Sequence, residues 1–164
     1  MRTAICATAI LLAWPLATLA GESDLHGTWK LVSLSRTTLD DGKVEHPRGG
    51  APNGYVSFTP DGRVLGFIVS EKRPKPASVE KMTDQQRLEL FNTMNAYAGT
   101  YQLEGNKLTY RFDLTHNEVV ERAAVRQLKF DGGRLTMLNE PAKSSMDGKM
   151  VQTVTVWQKV APKQ

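Results

Sequence analysis

Along most of the chain, apolar and polar residues alternate with a period of two over short runs, and turn-forming residues separate the runs at fairly even spacing. The stretches "TPDG" (Thr59 to Gly62), "LEGN" (Leu103 to Asn106) and "FDGG" (Phe130 to Gly133) each lie between two such runs, which is the signature of a β-hairpin. The pattern predicts strands over Thr28 to Leu39, Tyr55 to Phe58, Arg63 to Ser70, Gly99 to Leu103, Lys107 to Leu114, Ala123 to Phe130, Arg134 to Leu138 and Met150 to Val160. A short extra strand is expected around Lys43 to Glu45.

One segment changes period. In "MTDQQRLELFNTMNAY" the residues Leu88, Phe91, Met94 and Tyr97 or Ala98 recur at helical spacing, and Thr83 with Gln86 three residues on forms a capping box. The spacing predicts one amphipathic helix of about four turns, reached through the irregular connection "EKRPKPASVEK".

On the strand after Asn106, Leu108, Tyr110, Phe112 and Leu114 share one face while Thr109, Arg111 and Asp113 share the other. One face is buried and one is wet. A meander of hairpins with that pattern closes most simply on itself, which removes edge strands. The expected fold is therefore all-β with one helix, an antiparallel up-and-down β-barrel of about 8 to 10 strands whose interior can hold one small ligand.

The first twenty residues, "MRTAICATAILLAWPLATLA", are composed differently: Arg2 is the one charge before Glu22, and an apolar run from about Ile5 to Leu16 precedes small residues. This matches a secretory signal. It predicts residues 1–20 as a signal peptide cut after Ala20, a domain over residues 21–164, and a periplasmic or secreted location with no stable membrane insertion once the signal is gone. An uncleaved anchor is the rival reading. Losing the segment would also remove Cys6, the sole cysteine, so a thiol nucleophile, a thiolate metal site and a disulfide scaffold are excluded for the exported domain.

Charge narrows the partners. The chain carries +4, and without Arg2 there are 20 basic against 17 acidic residues, a net +3. The basic residues are dispersed, "EKRPKP" (Glu71 to Pro76) being the one local cluster, so nucleic acid is not an expected partner. A monomer with a small apolar or amphipathic ligand is expected.

Five stretches, "GTWKLVS", "GYVSFTPDGRV", "EKRPKPAS", "AYAGTYQLEGNKLTY" and "VRQLKFDGGRLTM", occur in this order, and together the chain resembles the lipocalin-like domain family of bacteria and fungi. The "TVTVWQKV" stretch looks like that family's closing strand. The resemblance implies a small β-barrel with a calyx, in which Gly27, Trp29 and Trp157 serve barrel closure. It does not imply an activity, because fold is a poor guide to function. Tyr110 and Arg111 stand where relatives often show histidines, so a histidine-based site is not implied.

Candidate chemistry centres on Arg126. It shares its parity with Ala124, Leu128 and Phe130, which predicts a guanidinium on an apolar face. Burying it unpaired costs several kcal/mol, so it needs a partner. In one account it closes an end of the barrel, stacking on Trp29 or pairing with Glu118 or Glu121. Lipocalins have an Arg over the Gly-x-Trp indole, but there it follows the last strand, and here that position offers Lys159. In the other account Arg126 anchors a carboxylate or other anion in a lumen lined by Tyr55, Phe67, Tyr101, Tyr110 and Phe112.

An enzyme would have to be built from "FDLTHNEVVER", with His116 as general base beside Glu118 and Tyr110 donating to an oxyanion, a grouping that would suit a cofactor-independent isomerase or cyclase. His116 as a titrating surface histidine is the plainer reading. No metal motif is present, the three histidines being too scattered, and no phosphate loop or nucleophile motif points to a cofactor. A solid-core exported interaction or stress protein is the third class, and an interior cavity separates it from a carrier.

Overall fold

The computed structural model describes residues 21–118, 122–144 and 147–161; the expected signal segment with its cut after Ala20, and Glu121, lie outside the described residues. A four-residue helix α1 (Glu22–Leu25) leads into β1 (Gly27–Thr38). The chain continues through β2 (Val44–Glu45), β3 (Asn53–Phe58), β4 (Arg63–Val69), helix α2 (Asp84–Asn92), β5 (Met94–Glu104) and β6 (Lys107–Thr115). It ends with β7 (Ala123–Asp131), β8 (Arg134–Asn139), β9 (Ala142–Lys143) and β10 (Met150–Lys159).

Each consecutive long strand pairs antiparallel with the next, and β1 pairs with both β3 and β10, so eight strands close into an up-and-down barrel. The short β2 and β9 extend the wall beside β1 and β10. The predicted hairpins hold: at the first, the Gly62 amide donates to the Thr59 carbonyl at 3.0 Å and Gly62 takes φ +76°, a conformation glycine adopts without strain.

Barrel closure explains the "LHGTW" start. Gly27 at φ +110° turns the chain out of α1 into β1, so Leu25 plugs the barrel beneath Trp29 with no exposure. The Trp29 Nε1 donates to the Leu25 carbonyl at 2.8 Å. Lys159 Nζ sits 4.9 Å from the indole centroid and donates to the Asp24 carbonyl at 2.7 Å. Lys159 thus fills the position over the indole. Trp157 is equally buried and joins Phe58, Leu108 and Leu135 in the core.

Two local expectations are corrected. Helix α2 has its Thr83 cap, with the Gln86 amide donating to Thr83 Oγ1 at 3.2 Å and the Thr83 amide to Gln86 Oε1 at 3.0 Å. It stops at Asn92, however, and buries none of its residues. Met94, Tyr97 and Ala98 belong to β5, where each pairs with a residue of β4. Strand pairing along the whole of β4 outweighs a periodicity that only Leu88 and Phe91, both exposed, could satisfy on the helix.

The second correction is a β-bulge. Gly99 opposes Phe112 whereas its neighbour Ala98 opposes Leu114, leaving Asp113 as the extra residue. An extra residue inverts the parity beyond it. Leu114, expected inside, is 64% exposed, and Thr115 is buried instead. The bulge also brings backbones together: a Cβ on Gly99 would lie 2.0 Å from the Arg111 carbonyl oxygen. Gly99→Ala is accordingly expected to destabilise the domain by about 3 kcal/mol, measured as a lower urea midpoint. A midpoint unchanged within error would show that the bulge relaxes freely.

Candidate functional site

The short hairpin turns and α1 occupy one end of the barrel, and the long connections after β1, β4, β6 and β8 occupy the other. The interior near this second end contains a cavity of about 150 Å³. Its walls divide by chemistry. Leu34, Ile68, Phe112, Met137 and Trp157 supply apolar surface, while Asn95, Asn139, Thr153 and Thr155 supply amides and hydroxyls from the parts of β5, β8 and β10 towards the open end.

Three further side chains complete the cavity: Tyr97, Tyr110 and Arg126. The Tyr110 and Phe112 rings stack at 5.4 Å and 22°, and Tyr97 meets both edge-on, at 6.1 Å from Tyr110 and 5.0 Å from Phe112. Tyr97 can lie across β4 because Gly66 has no side chain there; a Cβ on Gly66 would come within 2.2 Å of Tyr97 Cζ. Burial holds both phenols neutral: it pushes Tyr97 up to about 12, against the field of Arg126, and Tyr110 well above its ordinary value.

Arg126 lies opposite Leu108 on β6 and Asn139 on β8, with the parity expected of it. Its Cζ is 5.8 Å from the Tyr110 centroid, and its Nη1 donates to the Val125 carbonyl at 2.8 Å. Burial, acting first, lowers its pKa, and the phenols and the nearby Glu140 act the other way. Glu140 itself is exposed and does not line the cavity. Among the described residues no carboxylate lines the cavity and none forms an ion pair with Arg126.

The contrast with Arg36 is direct. That guanidinium, paired across the barrel seam with Thr153, meets Glu45 at 2.5 Å and Asp147 at 3.1 Å. Arg36 meets two carboxylates, whereas Arg126, likewise partly buried, meets a backbone carbonyl and an aromatic face and borders the cavity. Stacking of Arg126 on Trp29 does not occur, Lys159 holding that place, and Glu118 pairs with Arg122 instead.

Of the other expected lumen residues, Tyr110 and Phe112 line the cavity. Tyr101 is buried but faces the closed end, its Oη donating to the Thr59 carbonyl at 2.9 Å and its ring edge-on to Phe58. Tyr55 and Phe67 are corrected: they oppose each other on the outer surface of β3 and β4, each 46% exposed. The inward positions belong to Gly54, Val56 and Phe58 on β3 and to Val64, Gly66 and Ile68 on β4.

The catalytic grouping does not assemble. Past the bulge, His116 lies on the outer side of the wall, its Nδ1 accepting from the Ala96 amide at 3.2 Å and its ring 5.2 Å from Phe91. It borders a shallow outer groove with Leu65, Phe67 and Leu114. Tyr110 turns inward, donating to Met137 Sδ at 3.5 Å. Among the described residues no three His, Cys, Asp or Glu side chains converge as a metal site. Sequence reasoning missed Tyr97, Asn95, Asn139, Thr153 and Thr155. The alternation of Tyr97, Gly99 and Tyr101 was the signal that could have found the first.

An eight-stranded closed barrel with a blocked end and an interior cavity at the other is the architecture of a calyx protein. The lipocalin-like domain family model matches residues 26–160, and the chain belongs to that family. It is similar in fold to a lipocalin-like protein from Bacteroides uniformis, at 13% identity and a TM-score of 0.44 over 84% of this chain and 99% of that one. A similar comparison holds for an uncharacterized protein from Bacteroides eggerthii, at 13% identity and a TM-score of 0.41 over 84% of this chain and all of that one. No curated protein shows significant similarity to the chain.

A lumen guanidinium with no carboxylate partner among the described residues opposes folding of the ligand-free protein. Arg126→Met, which keeps the stem length and removes the charge, is expected to raise the stability of the ligand-free domain by about 1–3 kcal/mol, read from the urea midpoint at constant m-value. A fall of more than about 1 kcal/mol would identify Arg126 as a structural strut.

Proposed function

We propose that this protein is an exported container that holds a small, largely apolar molecule bearing an anionic group in the barrel lumen, with Arg126 as its anchor. The observation that carries this reading is the Arg126 guanidinium facing a cavity of about 150 Å³ with no carboxylate among the described residues of its walls. A guanidinium that meets a backbone carbonyl and an aromatic face, but no carboxylate among the described residues, is explained when its counter-ion arrives with the ligand. The apolar floor removes the ligand's hydrocarbon from water, and the amides and hydroxyls towards the open end receive its polar part.

Among the described residues the cavity walls contain neither an imidazole nor a carboxylate to act as a base for proton abstraction, and both tyrosines are held neutral. Binding without turnover is the reading that these side chains support. The open space beside Trp157 and Met137 argues likewise against a solid-core protein.

Native mass spectrometry of the protein recovered from the exported compartment tests the reading. The expected spectrum shows a one-to-one adduct that denaturation releases, from a polypeptide beginning at Gly21, and the adduct is absent from Arg126→Met. An adduct retained at equal occupancy on Arg126→Met would remove the arginine from the account, and a full-length mass from Met1 would remove cleavage.

A further inference from the structure

We propose that the lumen selects a compact aromatic carboxylate, a single benzene-sized ring carrying one negative charge, in preference to fatty acids and to phosphate esters. This rests on the container reading above and adds size, shape and charge to it.

Size comes first. A cavity of about 150 Å³ matches the volume of an engineered apolar cavity that admits benzene. It has no room for a long acyl chain. The closed end is filled by Leu25, Trp29, Phe58 and Tyr101, so a chain could not extend deeper, and the ligand must be short enough to stop above Trp157.

Shape follows from the walls. Phe112 and Tyr110 lie nearly parallel, Tyr97 stands edge-on to them, and Trp157 and Met137 close the far side. Flat aromatic surfaces at these angles favour a flat aromatic guest, which gains offset or edge contacts beyond simple burial. A carboxylate conjugated to that ring lies in the ring plane, and a planar guanidinium fork receives it best when both are coplanar. Arg126 spends one N–H on the Val125 carbonyl and has further N–H groups available for such a fork.

Charge sets the remaining limit. Among the described residues Arg126 is the one charged side chain on the cavity walls, so a monoanion balances the charge they present. A phosphate monoester, with nearly two negative charges at neutral pH, would leave one uncompensated beside two buried neutral phenols. Asn95, Asn139, Thr153 and Thr155 can then take hydrogen bonds from a ring hydroxyl but cannot balance a second charge.

Isothermal titration calorimetry on the exported protein, freed of bound material by unfolding and refolding, tests this with four probes: benzoate, benzyl alcohol, phenyl phosphate and palmitate. Benzoate is expected to bind at least tenfold more tightly than each of the others, since hydrogen bonds between ionised partners are stronger than neutral ones. Arg126→Met should lose at least tenfold for benzoate and stay within about twofold for benzyl alcohol, which also reports that the variant is folded. Arg126→Lys should fall between, keeping the charge and losing the fork. Benzyl alcohol binding as tightly as benzoate would overturn the charge selection and leave the container reading intact. Palmitate or phenyl phosphate binding more tightly than benzoate would overturn the ligand class proposed here. Binding of none of the four, by a refolded protein whose near-UV dichroism matches the starting material, would overturn both this proposal and the container reading.

Discussion

The structure depends on the seam between the first long strand and the last. Residues from Trp29 to Thr38 pair with residues from Lys159 back to Val151, and this one ladder converts a meander with two exposed edges into a ring with none. The seam has its own irregularity, a register shift between Leu31 and Ser33, which bends β1 so that its first half serves β3 and its second half serves β2. The interior cavity follows from closure, because an open sheet has no inside.

Closure also makes the two ends unequal. At one end the chain enters through α1 and leaves at Lys159, and these two segments lock together around Trp29 by a hydrogen bond to Leu25, a cation over the indole and an ammonium on the Asp24 carbonyl. That end is packed solid. At the other end the strands lead into long connections, and space persists beside Arg126 between an aromatic floor and the short polar side chains Asn95, Asn139, Thr153 and Thr155. Gly66 sharpens the effect by letting Tyr97 lie flat along the β4 wall. Any guest that binds the folded barrel and not the unfolded chain would raise its stability with occupancy.

Much of this was legible in the residues. The turn sequences around Gly62, Gly105 and Gly133 mark three hairpins, and alternation along β6 and β7 places Tyr110, Phe112 and Arg126 inside. The place of Lys159 over the first-strand tryptophan followed from its position at the end of the closing strand. The failures share a physical cause: local pattern cannot report a partner strand. Met94 to Ala98 carry a helical period by coincidence and become a strand because β4 is there to receive them. Asp113 enters as a bulge residue without a marker of its own, and everything beyond it changes face, taking His116 out of reach of the lumen. Tyr55 and Phe67 misled because aromatic side chains stand on the outer face of their strands while the glycines Gly54 and Gly66 share the inner face with Val56, Phe58, Val64 and Ile68.

The account stands or falls on whether the guanidinium of Arg126 receives an anion. The most direct measurement is a crystal structure of the protein grown with 4-bromobenzoate, using the anomalous signal of bromine to place the ring without reference to the side chains. The account predicts one bromine inside the barrel among Phe112, Met137 and Trp157, with the carboxylate oxygens within hydrogen-bonding distance of Arg126. A lumen without bromine at saturating probe, or a bromine whose carboxylate points away from Arg126, would contradict it.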